Sequence, residues 1–129
     1  MSTDSTSASK LDWRLELVQV PVADVDRAKA FYIQAGFVAE HDHQVSEELR
    51  FVQLTPPGSR CSIALTSGAH QMAPGSLEGL QLVVGDIDRA REELLSRGVE
   101  VGDVQDFPWG RFVFFTDPDG NGWAVQQVG

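Results

Sequence analysis

The sequence has little of what staples a fold, spans a membrane or grips a polyanion. It holds one cysteine, Cys61, in 129 residues, so neither an intrachain disulfide framework nor a CxxC site is available. Bases are scarce: ten Lys and Arg stand against nineteen Asp and Glu, a formal net charge of -9. No basic face therefore awaits nucleic acid or an anionic membrane, and the excess of acid reads as a solubilising surface. No apolar run approaches the roughly 18 residues of a spanning helix. The opening MSTDSTSASK has no apolar stretch of the kind a secretory signal needs, and a cytoplasmic location is expected. GxSxG, P-loop and GxGxxG patterns are also missing. What is present, 42% hydrophobic and 22% charged residues, suffices for the core of one domain.

Residues 1–10 are rich in Ser and Thr with little to bury, and are expected to form a disordered tail. Strand-like sequence begins near Trp13 and continues through LELVQVPV (15–22). Asp24 follows as an N-cap residue and Gly36 stands where a helix closes. Between them Val25, Ala28, Phe31, Tyr32 and Ala35 recur at helical spacing, which predicts an amphipathic helix of about three turns. FVAEHDHQV (37–45) is a weaker strand, while LRFVQLT (49–55) and CSIALT (61–66) are strands joined by the turn PPGS (56–59).

The most informative feature is a repeat. VQVPVADVDRA (18–28) lies on LQLVVGDIDRA (80–90) at an offset of 62 residues. The identities include Gln19/Gln81, Val22/Val84, Asp24/Asp86, Asp26/Asp88, Arg27/Arg89, Ala28/Ala90 and Gly36/Gly98. The offset holds without a gap to TPPGSRCSI (55–63) against DPDGNGWAV (117–125). Two copies are too few for a solenoid. The fold class predicted is α+β, with two tandem βαβββ modules at 11–68 and 77–128 joined by a linker at 69–76, together a single domain over 11–128.

The patterns PVxDxxRAxxFY…GF, VxDIxxAxxxLxxRG and FxDPDGNxW resemble the vicinal oxygen chelate superfamily, which includes glyoxalase I, bleomycin-resistance proteins and extradiol dioxygenases. The resemblance covers about residues 13–128 and implies two modules whose mixed sheets curl into a cup around a small-molecule cavity, often in a homodimer. Members of that superfamily usually bind a divalent metal through the first and last strand of each module. Carried onto this chain, the four positions are Leu17, Ser62, Gly79 and Ala124. Leucine, glycine and alanine side chains have no donor atom, and a lone serine hydroxyl is a poor ligand. A slip of two residues keeps each strand's face and brings in Gln19, Gln81 and Gln126, whose neutral amides do not offset a dication.

No metal or other cofactor is therefore expected, and those glutamines are candidates for orienting a ligand in an apolar pocket, or for bonding one another in a filled one. His43 and Trp109 are further candidates. His41 and His43 share one strand face, without a third histidine near in sequence; His70 falls in the linker. Trp109 sits in DFPWGRF (106–112), either stacking on a planar ligand or packing on its own loop. Trp123, Phe31 and Tyr32 are expected in the core, with Cys61 facing the helix layer as inert packing. Arg50 and Arg111 flank the third strand of each module, on the surface or against a ligand carboxylate.

The function expected is metal-independent binding of a small apolar or aromatic molecule in a cavity lined by Leu17, Gln19, His43, Ser62, Gly79, Gln81, Trp109, Ala124 and Gln126. The alternatives are a lyase, isomerase or dioxygenase of the same superfamily with an atypical metal site or none, and a dimeric scaffold whose cavity its own side chains fill. The expected partners are the ligand and a second copy of the chain, with no nucleic acid and no membrane.

Overall fold

Two aspartates start the two helices. Asp24 and Asp86 lie in extended backbone, and their carboxylates accept the amide N–H of Arg27 and Arg89, three residues on. Helix α1 then spans Val25–Gln34 and helix α2 Ile87–Ser96. Just past each helix stands a glycine with positive φ, 111° at Gly36 and 82° at Gly98, a conformation that strains any residue carrying a Cβ. The computed structural model describes residues 11–66 and 72–128. The expected tail at 1–10, part of the linker and His70 lie outside them.

Eight strands surround these helices in two sheets. The first contains β1 (Leu17–Pro21), β2 (Val38–Gln44), β3 (Arg50–Thr55) and β4 (Ser62–Thr66), in the order β1-β4-β3-β2. The second contains β5 (Leu80–Val84), β6 (Gln105–Phe107), β7 (Gly110–Thr116) and β8 (Gly122–Gln127), in the order β5-β8-β7-β6. The first strand of each half runs parallel to the last, and the remaining pairs are antiparallel. The fold is α+β, two βαβββ units as the duplicated sequence predicts, and neither sheet closes into a barrel.

Strand alternation divides each sheet into a core face and an open face. Val20, Val52, Leu54, Ile63 and Leu65 are buried on the core face of the first sheet; Val113, Phe115, Trp123 and Val125 are buried on that of the second. All belong to one apolar cluster. The halves meet through α1: Phe31 lies 6.3 Å from Phe115 between ring centroids, and Tyr32 5.8 Å from Trp123. Fully burying such side chains contributes about 1.5–3 kcal/mol each.

A buried polar knot locks this junction. The Tyr32 hydroxyl donates to Asp117 Oδ2 at 2.7 Å and accepts from Trp123 Nε1 at 2.9 Å. Asp117 Oδ1 accepts the amide N–H groups of Asp119, Gly120 and Asn121, while Asn121 Nδ2 donates to Asp117 Oδ2 and to the Pro21 carbonyl. Burial, reinforced by the Asp117 carboxylate, pushes the Tyr32 phenol well above its ordinary range. The DPDGN segment is thus a structural turn whose carboxylate is satisfied by its own backbone.

One element is shorter than expected. Strand β1 begins at Leu17 rather than near Trp13, because β4 begins opposite it at Ser62 and offers nothing further back to pair with. The Ser62 N–H reaches the Glu16 carbonyl, and residues 11–16 lie exposed ahead of it. Cys61 is half-buried just before β4, its Sγ 3.6 Å from the Ser62 carbonyl. Among the described residues no helix is long and apolar enough to cross a membrane.

Candidate ligand-binding faces

The open face of the first sheet is the more polar of the two, although Leu17 and Phe51 also lie on it. Leu17 stands opposite Ser62, and Gln19 opposite Ala64. Because Ile63 and Leu65 point to the core, Ser62, Ala64 and Thr66 share the open face with Leu17 and Gln19. Their neighbours bury them nevertheless: Ser62 and Thr66 are each 4% exposed. The Ser62 hydroxyl shares a hydrogen bond with that of Thr55 at 2.7 Å and accepts from Gln53 Nε2 at 3.1 Å. Thr66 donates to Gln19 Oε1. Toward the outer edge, His41 pairs with Gln53 and His43 with Phe51 across β2 and β3. The two imidazoles stack with centroids 5.8 Å apart and are exposed.

The open face of the second sheet is aromatic. On β7, Phe112 stands opposite Gln126 and Phe114 opposite Ala124. The two rings are parallel within 5° at 5.8 Å. Phe107 meets both edge-on, and Trp109 stacks on Phe107 at 5.1 Å with 8° between planes. Trp109 is 68% exposed and Phe114 39%, while Phe107 is half-buried and Phe112 only 6% exposed, so the outward part of this surface is Trp109 and Phe114. Gln81 donates to Gln126 Oε1 at 2.7 Å, and Gln126 Nε2 donates to the Trp109 carbonyl at 3.0 Å. The amides therefore tie the Trp109 turn to the sheet. A hollow of about 800 Å³ at the start of β5 and β8 is lined by Gly79, Ala124 and Phe114 of the open face and also by Phe31, Phe115 and Trp123 of the core side.

The nine predicted residues fall into two sets. Leu17, Gln19, His43 and Ser62 belong to the first sheet; Gly79, Gln81, Trp109, Ala124 and Gln126 belong to the second or its edges. Among the described residues no hydrogen bond or ring contact joins one set to the other. Inside each set the structure brings together Leu17 with Ser62 and Gln81 with Ala124, Gln126 and Trp109. Phe107, Phe112, Phe114, Gln53 and Thr66 join these faces without having been predicted from sequence. The signal for the phenylalanines was there: in GRFVFF, residues 112 and 114 alternate onto one face.

The chemistry of the four family positions does not fit a metal ion. Ser62 Oγ is their only side-chain donor, and it is already engaged by Thr55 and Gln53. Gly79 has φ of 86°, so even the backbone there disfavours a side chain that reaches inward. Among the described residues no three His, Cys, Asp or Glu converge on one point. Arg50 is bonded to Asp26 and Asp42, and Arg111 to Asp106 and Asp88. Each arginine thus clamps a strand to the start of its own helix.

With this geometry in hand, comparison with known proteins is direct. The pattern of the Glyoxalase/Bleomycin resistance protein/Dioxygenase superfamily matches residues 14–125. The chain belongs to that superfamily. The crystal structure of TnmS3, an antibiotic binding protein from Streptomyces sp. CB03234, superimposes with a TM-score of 0.81 at 38% identity, covering 92% of this chain and 98% of that one. A superfamily member from Sphaerobacter thermophilus DSM 20745 gives a TM-score of 0.79 at 31% identity, over 91% of this chain and 98% of its own. The uncharacterized protein YetH of Bacillus subtilis (strain 168) is 29% identical over 117 residues, 85% of this chain and 94% of its own length.

Proposed function

We propose that this protein binds and sequesters a small apolar or aromatic molecule in the cytoplasm, without a metal, in a cavity shared by two copies of the chain. The observation that carries the reading is the aromatic face of the second sheet, where Trp109 and Phe114 are exposed over a half-buried Phe107 and a buried Phe112, beside positions that lack metal donors. An exposed aromatic sheet face is costly to leave in water and marks a binding surface. Its rings form two nearly parallel pairs set edge-on to each other, and a planar ligand stacking on one of them gains about 0.5–1.5 kcal/mol per aromatic pair beyond burial. Likeness to an antibiotic binding protein over nearly the whole chain supports ligand capture.

The packing within one chain supports a shared cavity. Within one chain the halves meet through α1 and the core faces, which leaves each open face without its opposite wall. In a two-fold dimer the polar open face of one copy meets the aromatic open face of the other. The two walls then divide the work: Leu17, Gln19, His43 and Ser62 address polar edges of the ligand, while Gly79, Ala124 and Trp109 admit and stack its rings. Gln81 and Gln126 hold the Trp109 turn in place.

Thermal unfolding with added compounds tests this. A panel of fused-ring aromatics is expected to contain one that raises the unfolding midpoint with increasing concentration, since about 2.7 kcal/mol is gained at a hundred times Kd. Zinc, nickel, manganese and iron(II) salts are expected to leave it unchanged. Stabilisation by a stoichiometric divalent ion alone overturns the reading in favour of a metal-dependent enzyme.

A further inference from the structure

We infer that the notch between the PPGS turn and α2 is a second ligand site, on the helix side of the second sheet, for a single-ring aromatic carboxylate. The ring enters the notch and the carboxylate pairs with Arg97. This site lies apart from the open faces and does not depend on what they bind.

The duplication shows why a notch is there. In the first module the seat between β1 and α1 is filled by the DPDGN turn, whose side chains reach the Pro21 carbonyl and the Tyr32 hydroxyl. At the offset of 62 residues, all four side chains of that knot have smaller mates. Tyr32 becomes Leu94, Asp117 becomes Thr55, Asn121 becomes Ser59 and Trp123 becomes Cys61. The polar mates are engaged elsewhere: Thr55 donates to Glu40 and shares a bond with Ser62, while Ser59 donates to the Cys61 carbonyl. No second knot fills the matching seat between β5 and α2.

A hollow of about 230 Å³ stands in that seat, lined by Pro56 and Pro57 of the turn, Leu82 and Val84 of β5, and Ala90 and Leu94 of α2. Burial shows the contrast. In the first module Val20, Ala28 and Tyr32 are 0% exposed, whereas their mates Leu82, Ala90 and Leu94 are only half-buried. An apolar cavity of about 150 Å³ already holds benzene, so this one takes a ring with a substituent. The phenol ring that Leu94 lacks is itself the size of the guest.

Arg97, at the rim of the hollow, sets the substituent. Its Nη1 donates to the Ala35 carbonyl at 3.0 Å and occupies the space that a Cβ on Gly36 would need, so the guanidinium is held in place. Arg27, Arg50, Arg91 and Arg111 are each paired with an aspartate. Among the described residues Arg97 has no ion-pair partner, in a chain with nineteen acids to ten bases. Glu93, also at the rim, is turned toward Arg89 at 3.7 Å. The remaining N–H groups of an anchored guanidinium suit the two oxygens of a carboxylate.

Benzoate, titrated into the full chain by calorimetry, is the probe, with benzyl alcohol as its uncharged analogue. Benzoate is expected to bind once per chain. Leu94→Tyr returns the phenol that Tyr32 supplies in the first module, and is expected to weaken benzoate at least tenfold. Arg97→Gln is expected to weaken benzoate at least tenfold and benzyl alcohol less than twofold, and it tests the site by itself where Leu94→Tyr does not fold. Trp109→Ala is expected to weaken a fused-ring compound on the open face and to leave benzoate unchanged, so either reading can fail alone. Benzoate that does not bind at millimolar concentration overturns the site. So does benzoate that Arg97→Gln binds as well as the parent, or that is lost with Trp109→Ala.

Discussion

Tyr32 does more than fill space. Its hydroxyl is the bridge between a turn carboxylate and an indole N–H, all at the junction of the two halves. Removing it leaves Trp123 Nε1 and one bond of Asp117 Oδ2 unsatisfied in the interior. Tyr32→Phe is therefore expected to destabilise the protein by about 1–3 kcal/mol, measured by urea unfolding, with no change in fold. Its pH dependence has a definite sign. A phenol whose pKa is raised on folding favours the folded state fully below the ordinary tyrosine range near 10, and that advantage fades above it; the contribution disappears in Tyr32→Phe. The sequence made Tyr32 and Trp123 legible as core, since helical spacing and strand alternation place them there. It did not reveal their bond to Asp117, which depends on where one half sits against the other. Likewise Phe112 and Phe114 were visible as alternating residues, but which face of β7 carries solvent is set by packing.

At the level of elements, the duplicated caps are the clearest case of sequence dictating structure. Asp24 and Asp86 cap α1 and α2 alike, and glycines follow both. Strand ends were harder to read. Trp13 and Leu15 continue the alternation of β1, yet pairing stops at Leu17 because a strand needs a neighbour as well as a pattern. The arginines were open to two interpretations in sequence, and the structure resolves them: Arg50 and Lys29 hold Asp42 beside the start of β3, and Arg111 holds Asp106. Hydrogen bonds from Arg50 and then Lys29 keep the Asp42 carboxyl well below the usual carboxylate range. A depressed carboxylate stabilises the fold above its unfolded pKa near 4 and loses that effect as the pH falls further. Wild-type protein is thus expected to lose stability more steeply below about pH 4 than Asp42→Asn, with the two curves converging in acid. Parallel slopes in chemical unfolding across that range contradict the assignment.

On the scale of the whole molecule, a twofold duplication has produced two unlike walls. One open face carries hydroxyls, amides and imidazoles beside Leu17 and Phe51, the other a cluster of four aromatic rings of which Trp109 and Phe114 are exposed. The α+β class was legible in the 62-residue offset, because matching caps, turns and strand patterns recur in both halves, while the curled sheets were implied by the family resemblance. The meeting of the two faces across a dimer is a proposal on which the sequence is silent, since strand edges such as β1 and β5 look alike in sequence whether they pair within a chain or between chains. Ligand identity is likewise carried by wall shape, which the four donor-poor positions constrain only by what they cannot hold.

Titration calorimetry tests the account most directly, using protein stripped with a strong chelator and the fused-ring aromatic compound that stabilises the chain best. Binding at one ligand per chain, with affinity unaltered by chelation or by added divalent ions, is the predicted result. Binding that vanishes on chelation and returns with a divalent ion contradicts it.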